Sequence, residues 1–341
     1  MTETVTMTEA EVAELAFTAL TGAGAREDQA RALARAVAAA EREGISSHGL
    51  AYLPTYCEHL SCGKVDGQAE PRLERTAPGA VRVDAACGFA HRAIEIGFES
   101  LLPLAREQGI AALSLHNSYN CGVLGYHVAQ LAAGGLVGLG FTNAPASIAP
   151  AGGKAPVLGT NPFALAVPGS GGEADFVIDQ SASVVAKSEV VMRARAKEPI
   201  PEGWALDTEG RPTTDPAVGL KGSMVPSGGY KGFGVALLVE VMAAALSGAT
   251  LGIDASPFSG SSGGPPRTGQ FFIAIAPASF SGALFTERLT GLRRAIETQE
   301  NAHLPGSRRA AMRARTDAHG IPVAGHIHAA AAALARDPAG T

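Results

Sequence analysis

From Ala80 onward, short strand-like runs take turns with longer helical ones, and that order leaves few architectures open. AVRVDA alternates with the period of a strand, HRAIEIGFESLLPLAREQ carries a helical period, and IAALSL is a short apolar run. VAQLAAGGL reads as a helix again, and VGLGFTN, FALAVP and DFVIDQ read as further strands. Such alternation predicts an α/β architecture. The first 65 residues differ and predict a helical unit. There, Thr8 with Glu11 forms a capping box for TEAEVAELAFTAL, whose apolar stripe is Val12, Leu15, Ala16 and Leu20. A second helix runs from about Arg26 to Glu41, EREGISSHGL breaks it at Gly44, and a third spans about Leu50 to Leu60. Residues 200–228 are loop-rich and lead into the long apolar helix FGVALLVEVMAAALSGA. IDASPFSGSSGGPPRTG then predicts a flexible connector before the buried strand QFFIAIAP and C-terminal helices around the turn HLPGSRR.

Charge and cysteine usage narrow the function. With a net charge of −5 and a pI near 6.0, the chain is not expected to bind nucleic acid. No apolar run approaches ~20 residues, so no membrane partner is expected. The N-terminus MTETVTMTEAEVAEL lacks a basic stretch followed by an apolar one. Cys57, Cys62, Cys87 and Cys121 have no CxxC or CxxH spacing, which predicts reduced thiols and no metal site. A cytoplasmic protein is expected.

The GxGxxG fingerprint after a strand is absent, and so is a Walker A loop. Four other segments have the character of sites. SSHG sets His48 after two serines at a helix break, where it is either a general acid or a capping histidine. GTNP offers Thr160 and Asn161 in what is otherwise an ordinary turn. In PSGGYKG, Lys231 sits at a helix start against the helix dipole, a local conflict that favours an anion site over a plain capping loop. HLPGSRR opens a helix with Ser307, Arg308 and Arg309, either a phosphate site or a basic surface turn. The polar elbow HNSYNCGVLGYH holds no carboxylate, lysine or arginine, and its histidines stand at its two ends.

SSHGL, GTNPFALAVP, IPEGWALDTEGRPTTDP, PSGGYKGFGVALLVEVMA and LPGSRR follow one another across nearly the whole chain. In this combination the sequence resembles the malate/L-lactate dehydrogenase family that is unrelated to the Rossmann-type enzymes. NSYNCGVLGYH is most similar to its sulfolactate dehydrogenase-like branch; VRVDAACGFAH and PPRTGQFFIAI also resemble its ketimine reductases. The resemblance implies a homodimeric NAD(P)-dependent oxidoreductase with an atypical, non-Rossmann fold of mixed sheets, which accounts for the missing fingerprint. It divides the chain into a helical unit (1–75) carrying the catalytic histidine, an α/β core (76–300), and C-terminal helices (301–341) that return to the first unit.

By the same resemblance His48 is the catalytic residue and Ser47 its neighbour. Asp179, Gln180 and Ser181 match cofactor positions, as do Tyr230 with Lys231, and Gly306, Ser307 and Arg308. Ser307 with Arg308 suits a 2′-phosphate and so favours NADP over NAD. The chain departs from many relatives at Asn120, where they have histidine, and at Tyr52, where several have arginine. Tyr52, Asn120, Asn143, Thr160 and Lys187 are the expected substrate contacts; Lys187 either replaces the missing arginine as anion partner or, with Glu189, simply faces solvent, since positions i and i+2 do not share a helix face. The expected reaction is hydride transfer at C2 of a small 2-hydroxy/2-oxo acid of the sulfolactate, malate or lactate type. Two alternatives stand beside it: reduction of cyclic 2-imino acids, and a diverged NADP binder without catalysis.

Overall fold

A computed structural model describes residues 4–169 and 171–336. The chain begins with β1 (Thr4–Met7), α1 (Glu9–Gly22), α2 (Glu27–Arg42) and α3 (Leu53–Ser61). The expected capping box forms: Thr8 Oγ1 accepts the Glu11 amide at 3.2 Å, and the Glu11 carboxylate accepts the Thr8 amide at 2.7 Å. Val12, Ala16, Ala19 and Leu20 of α1 are buried against Ala30, Leu33 and Val37 of α2. Alanine dominates this contact because a single methyl lets two helices approach closely.

A long sheet follows. Its pieces are β2 (Arg72–Ala77), β3 (Ala80–Asp84), α4 (Ala90–Gln108), β4 (Ile110–Ser118), α5 (Leu124–Ala133), β5 (Val137–Thr142), β6 (Phe163–Pro168) and β7 (Ala174–Gln180). Beyond it come α6 (Lys187–Ala196), β8 (Ala205–Leu206), β9 (Pro212–Thr213), α7 (Pro216–Gly219), β10 (Ser223–Met224) and α8 (Tyr230–Glu240), which runs on as a π-turn over Val241–Ala245. The chain closes with β11 (Thr268–Ile275), α9 (Ala278–Ser281), α10 (Leu284–Glu297), α11 (Ser307–His319), β12 (Ile321–Ala324) and α12 (Gly325–Arg336).

The seven-stranded sheet has the order β2-β3-β4-β11-β5-β6-β7, and β3 with β4 is its one parallel pair. β11 arrives from late in the chain and takes the central place. Its Phe272 and Ala274 enter the core under α4 and α5, whereas Phe271 and Ile273 face Val239 and Ala243 on the opposite side. Burial on both faces explains why QFFIAI is apolar throughout. Glycine is required at its start, since a Cβ on Gly269 would lie 1.9 Å from the Ala243 carbonyl oxygen.

Three features differ from expectation. TVTM is a strand, β1, paired antiparallel with β12 at the far end of the chain. Residues 200–228 hold a small sheet, β10-β8-β9, rather than loop alone. The glycine-rich connector is fastened rather than loose: Lys64 Nζ donates to the Pro257 carbonyl (2.7 Å), Tyr52 Oη to Phe258 (3.1 Å) and His59 Nε2 to Gly260 (3.1 Å).

Candidate active site

β7 and the residues after it form the spine on which the separate motifs meet. The Ala182 amide donates to the Thr160 carbonyl, and the Ala182 carbonyl accepts the Ser227 amide, both at 2.8 Å. The GTNP turn and the PSGG loop are thus joined through one residue. Further back along β7, Gly306 (φ +83°) approaches so closely that a Cβ would lie 3.0 Å from the Val177 carbonyl oxygen. Asp179 Oδ2 accepts the Gly125 amide at the start of α5 (3.0 Å) and Arg309 Nη1 (2.9 Å). A carboxylate here satisfies a helix N-terminus and a guanidinium together. Phe163, Val177, Asp179, Gln180, Gly306 and Arg309 line a cavity of about 300 Å³.

His48 reaches this region from the helical unit. It ends a 3-10 turn, Ser46–His48, and Gly49 separates it from a second, Leu50–Tyr52. Ser47 Oγ lies 3.3 Å from His48 Nδ1. Nε2 has no protein partner among the described residues and is not one of the fully enclosed unpartnered atoms, although the ring as a whole is largely buried. Burial lowers the imidazole pKa from its usual value. A backbone hydrogen bond at Ser47 and the charge of Asp179 act to raise it, and Arg309 to lower it. The charges lining the cavity therefore reach the histidine.

The other expected residues divide by surroundings. Tyr52 has its ring centre 6.4 Å from that of His48 and gives its hydroxyl hydrogen to Phe258. Burial raises its phenol pKa, so it is a neutral donor at the position where the resemblance led one to look for an arginine. Asn120 turns its carbonyl oxygen back to the Gly122 amide (3.1 Å). Ser181 Oγ contacts Ser183 Oγ at 3.0 Å, and Gln180 is exposed. Tyr230 and Lys231 are exposed at the start of α8, whose cap Gly229 offers no side chain. Ser307 and Arg308 are likewise exposed at the start of α11 behind Gly306.

Lys187 opens α6 with an exposed side chain, yet desolvation by surrounding protein lowers its pKa, as happens to a group inside a cleft. Its neighbour Glu189 pairs with Arg193 at 3.2 Å, and Lys187 has no ion-pair partner among the described residues.

Asn143 and Asn161 are instead committed to the framework. Asn143 holds the Thr250 carbonyl (2.9 Å) and the Gly269 amide (2.8 Å); Asn161 holds the Ala236 carbonyl (2.9 Å) and Glu240 (2.7 Å). Both are buried, so their amides close hydrogen bonds that the tightly packed backbone would otherwise lack. For Asn143 this departs from the expected substrate contact.

The histidine that ends the elbow, His127, donates Nε2 to the Cys121 carbonyl at 2.9 Å, and burial pushes its pKa down to about 4. It stays neutral and braces the loop. Its neighbour His91, with ring centres 5.3 Å apart, is buried with neither ring nitrogen partnered. Glu41 and His91 were not singled out as site residues by sequence, and Arg309 was named only as part of the HLPGSRR turn, with Arg308 the expected cofactor contact. For Arg309 the available signal was the SRR triplet, which does not say which arginine turns inward.

Residues 7–330 match the family model described as malate/L-lactate dehydrogenase. The chain is 45% identical over 313 residues, 92% of each chain, to a (2R)-3-sulfolactate dehydrogenase (NADP(+)) of Chromohalobacter salexigens. It is 39% identical over 337 residues, 98% of each, to a Delta(1)-pyrroline-2-carboxylate reductase of Ancylobacter novellus. The crystal structure of a delta1-piperideine-2-carboxylate reductase from Pseudomonas syringae superposes with a TM-score of 0.91 at 34% identity, covering 97% of this chain and 99% of that one. With its residues 7–330 matched and the same overall fold shared at a TM-score of 0.91, the chain belongs to the malate/L-lactate dehydrogenase family.

Proposed function

We propose that the protein is an NADP-dependent oxidoreductase acting at C2 of a small 2-hydroxy/2-oxo acid of the sulfolactate, malate or lactate type, with NAD as the alternative cofactor. The observation that carries this reading is an accessible imidazole, His48, under the electrostatic influence of the cavity that Asp179, Gly306 and Arg309 line. The sulfolactate dehydrogenase (NADP(+)) at 45% identity supports both the substrate class and the cofactor.

The chain fits a dinucleotide on its own terms. α8 and α11 each open on a glycine without a side-chain cap; the Ser307 amide donates back to the Leu304 carbonyl at 3.2 Å, so phosphate oxygens would be met by the amides that open α8 and by those that follow Ser307 in α11. Beside Gly228 and Gly229 there is open space where a Cβ would stand. Tyr230, Lys231, Gly306, Ser307 and Arg308 would hold the nucleotide, and Asp179, Gln180 and Ser181 would lie along it. When bound, the nicotinamide supplies or takes the hydride. His48 supplies the proton to the C2 oxygen in reduction and removes it in oxidation, with Ser47 orienting Nδ1. Tyr52, Asn120 and Thr160 contact the substrate, and Lys187 binds its acid group.

Reduction of cyclic 2-imino acids is the second reading. Uncharged Tyr52 and Asn120 favour it, because a protonated imine already carries the charge that a carbonyl must gain from an acid. The pyrroline-2-carboxylate reductase at 39% identity supports it as well. The test is NADPH oxidation with 3-sulfopyruvate, oxaloacetate and pyruvate against pyrroline- and piperideine-2-carboxylate. Lys187→Ala should raise KM for the favoured acid roughly tenfold, the loss of one charge-assisted hydrogen bond, with kcat little changed. No turnover with any of the five would sink the proposal and leave an NADP binder without catalysis.

A homodimer is part of the same proposal. Leu237, Leu238, Val241 and Leu246 are exposed along α8 and its continuation, with Leu251 and Ile253 close behind in sequence. An apolar surface of this kind marks an association site. Leu238→Lys with Val241→Lys is expected to give a monomer in sedimentation analysis; a dimer of unchanged strength would remove this face from the interface. No helix among the described residues is long and apolar enough to cross a membrane, and a cytoplasmic protein that binds no nucleic acid is proposed.

A further inference from the structure

We propose that Glu41 is a positioning residue for His48, clamping from α2 the two 3-10 turns that carry the imidazole. The inference rests on His48 being the acid, as read above. Glu41 is buried near the end of α2 and has no cationic partner among the described residues. A carboxyl in that setting is costly unless its hydrogen bonds are well made. Oε1 accepts the Leu50 amide at 2.7 Å, and Oε2 accepts the Ser46 hydroxyl at 3.3 Å. Those two residues bracket His48 in sequence, two positions before it and two after.

The bond to Leu50 is more than incidental. Within these turns the amides of His48, Gly49 and Tyr52 find backbone carbonyls, at Ile45, Ser46 and Gly49 respectively. For the Leu50 amide, Glu41 is the acceptor. The end of α2 does not need the carboxyl, because the amides of Glu43, Gly44 and Ile45 are satisfied by main-chain carbonyls of the helix. Gly49 completes the device. A Cβ there would lie 2.2 Å from Glu41 Oε1, so the carboxyl occupies the space a side chain would need. It is this close approach that demands glycine. Glu41, Gly49 and Leu50 therefore hold the peptide on which His48 is mounted, and the clamp fixes where Nε2 points.

A displacement of about 1 Å at a reacting group can cost on the order of 10²-fold in rate, which sets the scale of the effect. Glu41→Ala should lower kcat by roughly 10- to 100-fold, with the dissociation constant for NADPH little moved and the thermal midpoint only modestly lowered, since the Leu50 amide loses its acceptor. Glu41→Gln, which keeps an acceptor for Leu50 and the same size, should restore most of the rate. Gly49→Ala should reproduce the loss in the native background, yet add little to Glu41→Ala, because the alanine methyl then enters vacated space. In the His48→Ala background, Glu41→Ala should leave the residual rate unchanged.

The measurement is kcat and KM for each variant on whichever of the five acids the native enzyme reduces, alongside NADPH titration and thermal unfolding. An inactive His48→Ala with multiplicative losses from Glu41→Ala and Gly49→Ala would overturn the clamp and leave the acid standing. So would a Glu41→Ala loss confined to NADPH affinity or to thermal stability. Full activity in His48→Ala would instead overturn the assignment of the acid, and the clamp with it.

Discussion

Substituting His48 with alanine is expected to lower turnover by roughly 10²- to 10⁴-fold, the usual share of a positioned acid or base. NADPH affinity should hardly change. The ring is not among the residues lining the cavity along β7; Ser47 Oγ approaches its Nδ1 at 3.3 Å, and the Tyr52 ring centre lies 6.4 Å away. Initial rates at saturating NADPH and a fluorescence titration of the cofactor separate the two effects. Activity within a few-fold of the native rate would mean that another group handles the proton. A large loss of cofactor affinity would mean that His48 binds rather than reacts.

How far this site was legible in the sequence depended on whether a residue's role was local. The capping box at Thr8 and Glu11 is local, and it formed as expected. SSHG announces a helix break because glycines on both sides of the histidine cannot continue α2, and the break is there. The strands β3 to β7 were visible through their period. β8, β9 and β10 were not, since two residues carry no period at all. β1 was missed for a related reason: four residues beside a strong helix cap read as its approach, and the partner strand lies at the other end of the chain.

Long-range pairings were the larger gap. Nothing in the local sequence places β11 between β4 and β5, though its unbroken apolar character requires a central position somewhere. Arg308 and Arg309 are adjacent on α11 and so point about 100° apart, as successive helical residues must. Arg309 is the one that meets Asp179, and that choice is made by how α11 sits against β7. Glu41 looks like any polar residue on an alanine-rich helix until the fold brings the Gly49–Leu50 peptide back to it. The framework asparagines mislead in the opposite sense. Asn143 stands at a strand end, where ligand contacts are common, yet its amide is used to join Thr250 to Gly269.

Asp179→Asn offers the most discriminating test of the electrostatics, because the sign of its effect is fixed by the structure. Burial lowers the His48 pKa, and Asp179 is the nearby charge that acts against this. Removing that carboxylate destabilises the imidazolium. It also frees Arg309, whose positive charge already acts to lower the same pKa. Both consequences push in one direction, so the acid form of His48 disappears at lower pH than in the native enzyme. In the reductive direction, where His48 must enter protonated, the decline of kcat/KM with rising pH should move to more acidic values. The reductive rate at neutral pH should therefore fall. In the oxidative direction the neutral base is required, so the rate should hold and extend to lower pH. Arg309→Ala carries the opposite sign: with its charge gone and Asp179 intact, the limb for reduction should move to higher pH. Cofactor affinity is expected to fall in both variants, since both residues line the cavity, so the profiles must be taken at saturating NADPH. Opposite displacements of the two limbs are what the Asp179–Arg309 pair predicts. Displacement of both in the same direction would show that the pair acts on the cofactor alone, and that the proton at His48 is governed from elsewhere.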